Sequence, residues 1–85
     1  MTKVKPRRPL VNGRYPNAIR NRMEKNKLTI TALADKLDMS RPYLNRLING
    51  QKLCHVTTAL AIARELGTTV EYLWGDLDFE EVRYR

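Results

Sequence analysis

Helix-start and helix-stop residues follow one another so closely between Asn17 and Gly75 that only short helices fit between them. Asn17, Thr29, Ser40 and Thr69 are good N-caps, and Gly50, Gly67 and Gly75 are good stops. Between these marks, apolar residues recur at spacings of three and four. The sets are Ile19 with Met23; Ile30, Leu33, Ala34 and Leu37; Leu44, Leu47 and Ile48; and Ala59, Ile62, Ala63 and Leu66. That spacing lines one face of a helix. It predicts helices over 17–26 and 30–37, a third inside "MSRPYLNRLING", a fourth over 56–66 and a short fifth, "VEYLW". No strand-like alternation precedes residue 76, and no repeat occurs. The fold class is all-α, a compact bundle of five short helices.

Such a bundle is small. The 85 residues make one domain near the lower limit of a self-sufficient core, and a single cysteine allows no internal disulfide. Helix packing or dimerisation has to supply the stability. No apolar run approaches the roughly 20 residues of a membrane span. The basic N-terminus has no apolar segment of a signal peptide, so a cytoplasmic location without membrane contact is expected.

The net charge is +7, with a pI near 10.0, and it is unevenly placed. Residues 1–15 hold Lys3, Lys5, Arg7, Arg8 and Arg14 and no acid. Pro6 and Pro9 within it, Pro16 just after it and the lack of periodicity mark this stretch as an extended basic arm, disordered when free. Residues 76–85 hold Asp76, Asp78, Glu80 and Glu81 against Arg83 and Arg85. The domain proper is then 16–75, with 76–85 a C-terminal tail. A front-loaded basic charge suits a polyanionic partner such as nucleic acid.

Helices two and three are joined by the three-residue turn "DMS", which makes them a helix-turn-helix candidate. Asp38 tolerates left-handed dihedrals better than most residues, and the small Ala34 lies where the helices should cross. On the third helix, Arg41, Asn45, Arg46 and Asn49 fall opposite Leu44, Leu47 and Ile48. Pro42 removes one amide, so a Ser40 cap has to act through the amide of Tyr43, or the helix has to start one residue late.

At these positions the chain resembles the bacterial and phage repressor/Cro type of helix-turn-helix regulators, the xenobiotic response element group. The pattern is Leu28-Thr29, Leu33-Ala34, a turn at Asp38, a cap at Ser40, Leu44 and Leu47, then Asn49-Gly50. The stretch "ALAIARELGTTVEYLWG" is similar to that family's closing helices, and the likeness covers Ile19 to Trp74. Asp38 stands where glycine is usual, Cys54 where proline is common, and Ile30 where a phosphate-contacting glutamine is usual. Met23 and Ile48 stand where many members pair an arginine with a glutamate. Both partners are apolar together, which exchanges a buried ion pair for packing without stranding either charge.

The resemblance implies a lambda repressor-like DNA-binding domain whose third helix enters the major groove of double-stranded DNA. It assigns Arg41, Pro42, Asn45 and Arg46 to base edges, with Tyr43 beside them as an apolar or phosphate contact. Arg suits guanine and Asn suits adenine. Thr29, Thr31, Asn49, Gln51 and Lys52 flank that face as phosphate ligands. Arg7, Arg8 and Arg14 are the arm residues placed for DNA. A homodimer on an operator is expected, with Trp74, Phe79 and Val82 as contact candidates. The weak alternation through Phe79, Val82 and Tyr84 leaves the tail free to pair across a dimer, to dock on its own domain or to stay loose.

Cys54-His55 is the one pair that invites metal or nucleophilic chemistry. One histidine and one cysteine make no closed zinc site, and no third group is placed to orient a base. Cys54 is expected to be a small buried residue and His55 the cap of helix four, with no metal, no cofactor and no enzymatic activity. Two functions remain: a sequence-specific regulator of the repressor or Cro kind, or an antitoxin-type interaction module of the same fold with secondary DNA binding. No effector or protease domain is expected beside a domain of this size.

Overall fold

The structure, a computed structural model, describes residues 2–7, 9–75 and 77–81. It contains the five helices: α1 (Ile19–Lys25), α2 (Ile30–Leu37), α3 (Arg41–Ile48), α4 (Val56–Glu65) and α5 (Val70–Trp74). Two strands, β1 (Thr2–Pro6) and β2 (Leu77–Glu81), flank them in the chain. The helices form an all-α bundle around one cluster. Ile19, Leu33, Leu44, Leu47, Ile62, Leu66 and Leu73 are its fully enclosed large side chains. Each such aliphatic chain contributes about 1.5–3 kcal/mol by leaving water.

Met23 and Ile48 are both buried in that cluster, each 8% exposed, so the site of a possible ion pair is filled by apolar packing. Trp74, at 5% exposure, also belongs to this core. It offers almost no surface to a second copy, which removes it from the dimer-contact candidates.

Polar side chains close the helix ends. Asn17 does not cap α1 in the expected way, since the N-cap position is Ala18. Its Oδ1 accepts from the Ile19 amide at 3.1 Å, and its Nδ2 donates to the carbonyls of Leu47 and Ile48, both at 3.1 Å. One amide thus joins the start of α1 to the end of α3. Arg22 donates through Nε to Leu66 O and through Nη2 to Gly67 O, both at 3.0 Å, and Asn26 Nδ2 donates to Leu66 O at 2.8 Å. These donors satisfy orphan carbonyls at the negative end of α4, where a cation is favoured.

The N-terminal residues do not form the loose extended arm that their prolines and charge suggest. Asn12 (φ 52°) and Gly13 (φ 74°) make a two-residue turn closed by Val11 N to Arg14 O at 2.9 Å and Arg14 N to Val11 O at 3.0 Å. Asn-Gly is the preferred pair where both central residues need positive φ, so this signal stood in "VNGR" and outweighs the prolines on either side. Beyond it, β1 pairs with β2 in an antiparallel ribbon. The register sets Lys3 opposite Glu80 and Lys5 opposite Asp78, with Val4 opposite Phe79 and Pro6 opposite Leu77. In sequence terms that register sets basic residues opposite acidic ones and apolar residues opposite apolar ones, pairings that favour one register over its neighbours. β1 lies against α4, and Pro6 is buried. Arg8, Asp76 and Val82 lie outside the described residues.

Candidate nucleic-acid interface

The turn between α2 and α3 is built from three local interactions. Thr29 accepts the Ala32 amide at 3.1 Å and opens α2. Asp38, with φ 52° and ψ 48°, ends it in the left-handed region that glycine usually supplies. Ser40 accepts the Tyr43 amide at 3.2 Å, and α3 starts at Arg41 with Pro42 in its first turn. The cap thus acts through Tyr43, as the missing proline amide requires. A proline whose amide was an orphan anyway costs the helix little at this place.

α3 then presents two rows one turn apart, Arg41–Asn45–Asn49 and Pro42–Arg46, on the side away from buried Leu44, Leu47 and Ile48. Arg41, Pro42, Asn45 and Arg46 are all exposed. Tyr43 is half-buried and packs on the core cluster, and Lys52 Nζ lies 5.2 Å from the centre of its ring. Burial, with the neighbouring Cys54 as a smaller cause, pushes the Tyr43 hydroxyl above its ordinary value, which keeps it a protonated donor. Thr29, Thr31, Gln51 and Lys52 are exposed, and Asn49 is half-buried at the α3 C-cap. Arg7 and Arg14 are exposed on the N-terminal segment.

Two residues join the face that sequence reasoning left out. Ile30 lines a shallow open depression together with Arg41, Pro42 and Asn45. It replaces an expected hydrogen-bond donor with an apolar floor beside the pyrrolidine of Pro42. Its place one residue after the Thr29 cap was the available signal. Arg20, exposed at the start of α1, donates from Nη2 to Asn49 Oδ1 at 3.2 Å. No local pattern indicates that contact, because it crosses 29 positions of chain.

Cys54 and His55 directly precede α4. His55 occupies the N-cap position of α4, but its side chain makes no cap hydrogen bond, and its buried Nδ1 has no partner. Cys54 is buried, and burial pushes its thiol up to about 11, only partly opposed by a backbone hydrogen bond. The thiolate is the reactive form, so Cys54 is expected to resist iodoacetamide at pH 8 in the folded protein and to react once denatured. Equal labelling rates in the two states would contradict its burial. The linkage runs with pH in one direction. The unfolded thiol loses its proton at lower pH than the folded one, so this group lowers stability as pH rises through about 9 to 11.

Among the described residues, no three His, Cys, Asp or Glu side chains gather in a metal-holding group, and no helix is long and apolar enough to cross a membrane. Comparison with curated proteins and with solved structures gave no match. A family model described as Helix-turn-helix matches residues 19–73, which is more than half of the chain and spans α1 through most of α5. With its capped turn, its exposed third helix and that match, the chain belongs to the lambda repressor/Cro-like helix-turn-helix family of DNA-binding regulators.

Proposed function

We propose that this protein is a sequence-specific transcriptional regulator of the repressor or Cro kind, reading the major groove of duplex DNA with α3. The observation that carries it is the outer face of α3, where Arg41, Pro42, Asn45 and Arg46 are exposed together on a helix anchored by three buried side chains. Arg and Asn supply bidentate contacts to guanine and adenine, while Pro42 and Ile30 offer an apolar surface to a thymine methyl. Thr29, Thr31, Asn49, Gln51 and Lys52 surround that face as phosphate ligands, which orient the protein without choosing sequence. Arg7, Arg8 and Arg14 add charge to the same contact from the N-terminal segment.

A single module of this kind buries roughly 600–1,000 Å², so tight binding calls for two copies on a palindrome with half-sites about 10 base pairs apart or a multiple. Phe79 and Val82 of the tail are the remaining candidates for the contact between copies. Selection of bound sites from random duplexes, followed by sizing of the complex, tests all of this together. An inverted repeat bound by two copies is the expected product. Recovery of no preferred sequence would rule out the base-reading role. Repeating the selection with Arg7, Arg8 and Arg14 changed to Gln should return the same sequence. The salt slope should fall by at most about 0.9 for each phosphate that is no longer neutralised. An unchanged slope would remove these three residues from the interface.

A further inference from the structure

Arg20 stands at the second residue of α1, exposed, with Nη2 donating to Asn49 Oδ1. A guanidinium carries donors only, so the amide atom that meets it has to be the oxygen. The same bond directs the two donors of Asn49 Nδ2 away from Arg20. The difference decides what Asn49 can do, because an N–H donates to a phosphate oxygen whereas an amide oxygen repels it.

The place of this pair is fixed by its surroundings. Asn49 ends the row that starts with Arg41 and Asn45, so its amide lies at the far end of the exposed α3 face. Asn17 ties the start of α1 to the Leu47 and Ile48 carbonyls, which keeps Arg20 beside that end. The C-terminus of a helix also carries partial negative charge, which disfavours a phosphate there. α3 has Arg46 in its last turn, and Arg20 brings a second cation to the same end from another helix.

We propose that Arg20 is a positioning residue for the nucleic-acid backbone. It holds Asn49 with its donors outward and adds positive charge where the end of α3 meets a phosphate. The proposal rests on the assignment of α3 as the DNA-facing helix.

The test is equilibrium binding to a selected duplex and to a scrambled one across a range of salt. The proteins are the wild type, Arg20→Ala, Arg20→Lys, Asn49→Ala, the Arg20→Ala/Asn49→Ala double variant and Arg46→Ala. Arg20→Ala should weaken both duplexes about three- to tenfold and lower the salt slope, with the unfolding midpoint unchanged. Arg20→Lys, which keeps a charge and a donor, should recover most of the loss. The double variant should bind within about twofold of Arg20→Ala alone, because the two residues act as one unit. Wild-type affinity in Arg20→Ala, fully additive losses, or a loss that follows a lowered unfolding midpoint would each overturn the role of Arg20. In those cases Arg46→Ala still distinguishes the two duplexes, and the assignment of α3 stands. A wild type that binds neither duplex overturns that assignment and the proposal with it.

Discussion

Replacing Gly50 by alanine should remove about 3 kcal/mol of folding stability, measured as the shift of the denaturant midpoint at constant slope. Two costs coincide there. Gly50 has φ +71°, a conformation that costs a residue with a Cβ about 1–2 kcal/mol. An added Cβ would also run into the backbone of Tyr15, touching its carbonyl oxygen first and its amide nitrogen next. Backbone cannot swing aside as a side-chain tip can, and Tyr15 is held by its own hydrogen bond from N to Gly50 O at 2.9 Å. A domain of this size holds roughly 4–13 kcal/mol in all, so the loss is a large share of it. Gly67→Ala is the control. Gly67 has nearly the same dihedral, φ +65°, but open space around the added atom, so only the conformational cost of about 1 kcal/mol applies. Equal losses at the two positions would show that the Tyr15 contact costs nothing to break. The consequence reaches the interface, because the Tyr15 segment, Asn17 and Arg20 all meet the end of α3 at this point.

The parts of this fold that were legible in the sequence are those governed by a few adjacent residues. Thr29, Ser40 and Thr69 each cap the helix they precede, through the amide three positions on. Asp38 takes the left-handed dihedral expected of it, and the spacing of Leu44, Leu47 and Ile48 separates the buried side of α3 from its polar side. Met23 and Ile48 lie far apart in sequence and were matched only through the family pattern. Their joint burial agrees with that pattern.

What was not legible depends on pairs brought together by the whole fold. The bonds from Arg22 and Asn26 to the Leu66 carbonyl leave no trace in local periodicity. The same holds for Arg20 with Asn49 and for β1 with β2. The ribbon shows why most clearly. Lys3 and Lys5 read as solvated charge when taken alone, and Asp78 and Glu80 read as a polar tail. Only the antiparallel register sets these residues opposite one another along the chain. The Asn12-Gly13 turn is a different case, a local signal present in the sequence that the neighbouring prolines do not override.

Changing Arg41 and Arg46 together to alanine should cost about 30-fold or more in affinity for the selected duplex, from two base contacts of about 1–3 kcal/mol each. The two lie on different rows of α3 and show no contact with each other, so their losses should add. Binding to a scrambled duplex should fall far less, since only general attraction to phosphate is removed there. Stability should move the other way, if at all. Arg41 is the first residue of α3, whose first turn holds no acid, so its charge faces the positive end of the helix dipole. That placement costs a few tenths of a kcal/mol or more in the free protein. Arg46 is exposed in the last turn, where a cation is mildly favoured, so its removal partly offsets the gain. The double variant is therefore expected to unfold within about 0.5 kcal/mol of the wild type while losing most of its selectivity. On the function proposed above, a DNA phosphate in front of α3 would offset that cost. Proportional losses on both duplexes would mean that these arginines meet phosphates rather than bases. Base reading would then fall to Asn45 and the apolar floor of Ile30 and Pro42.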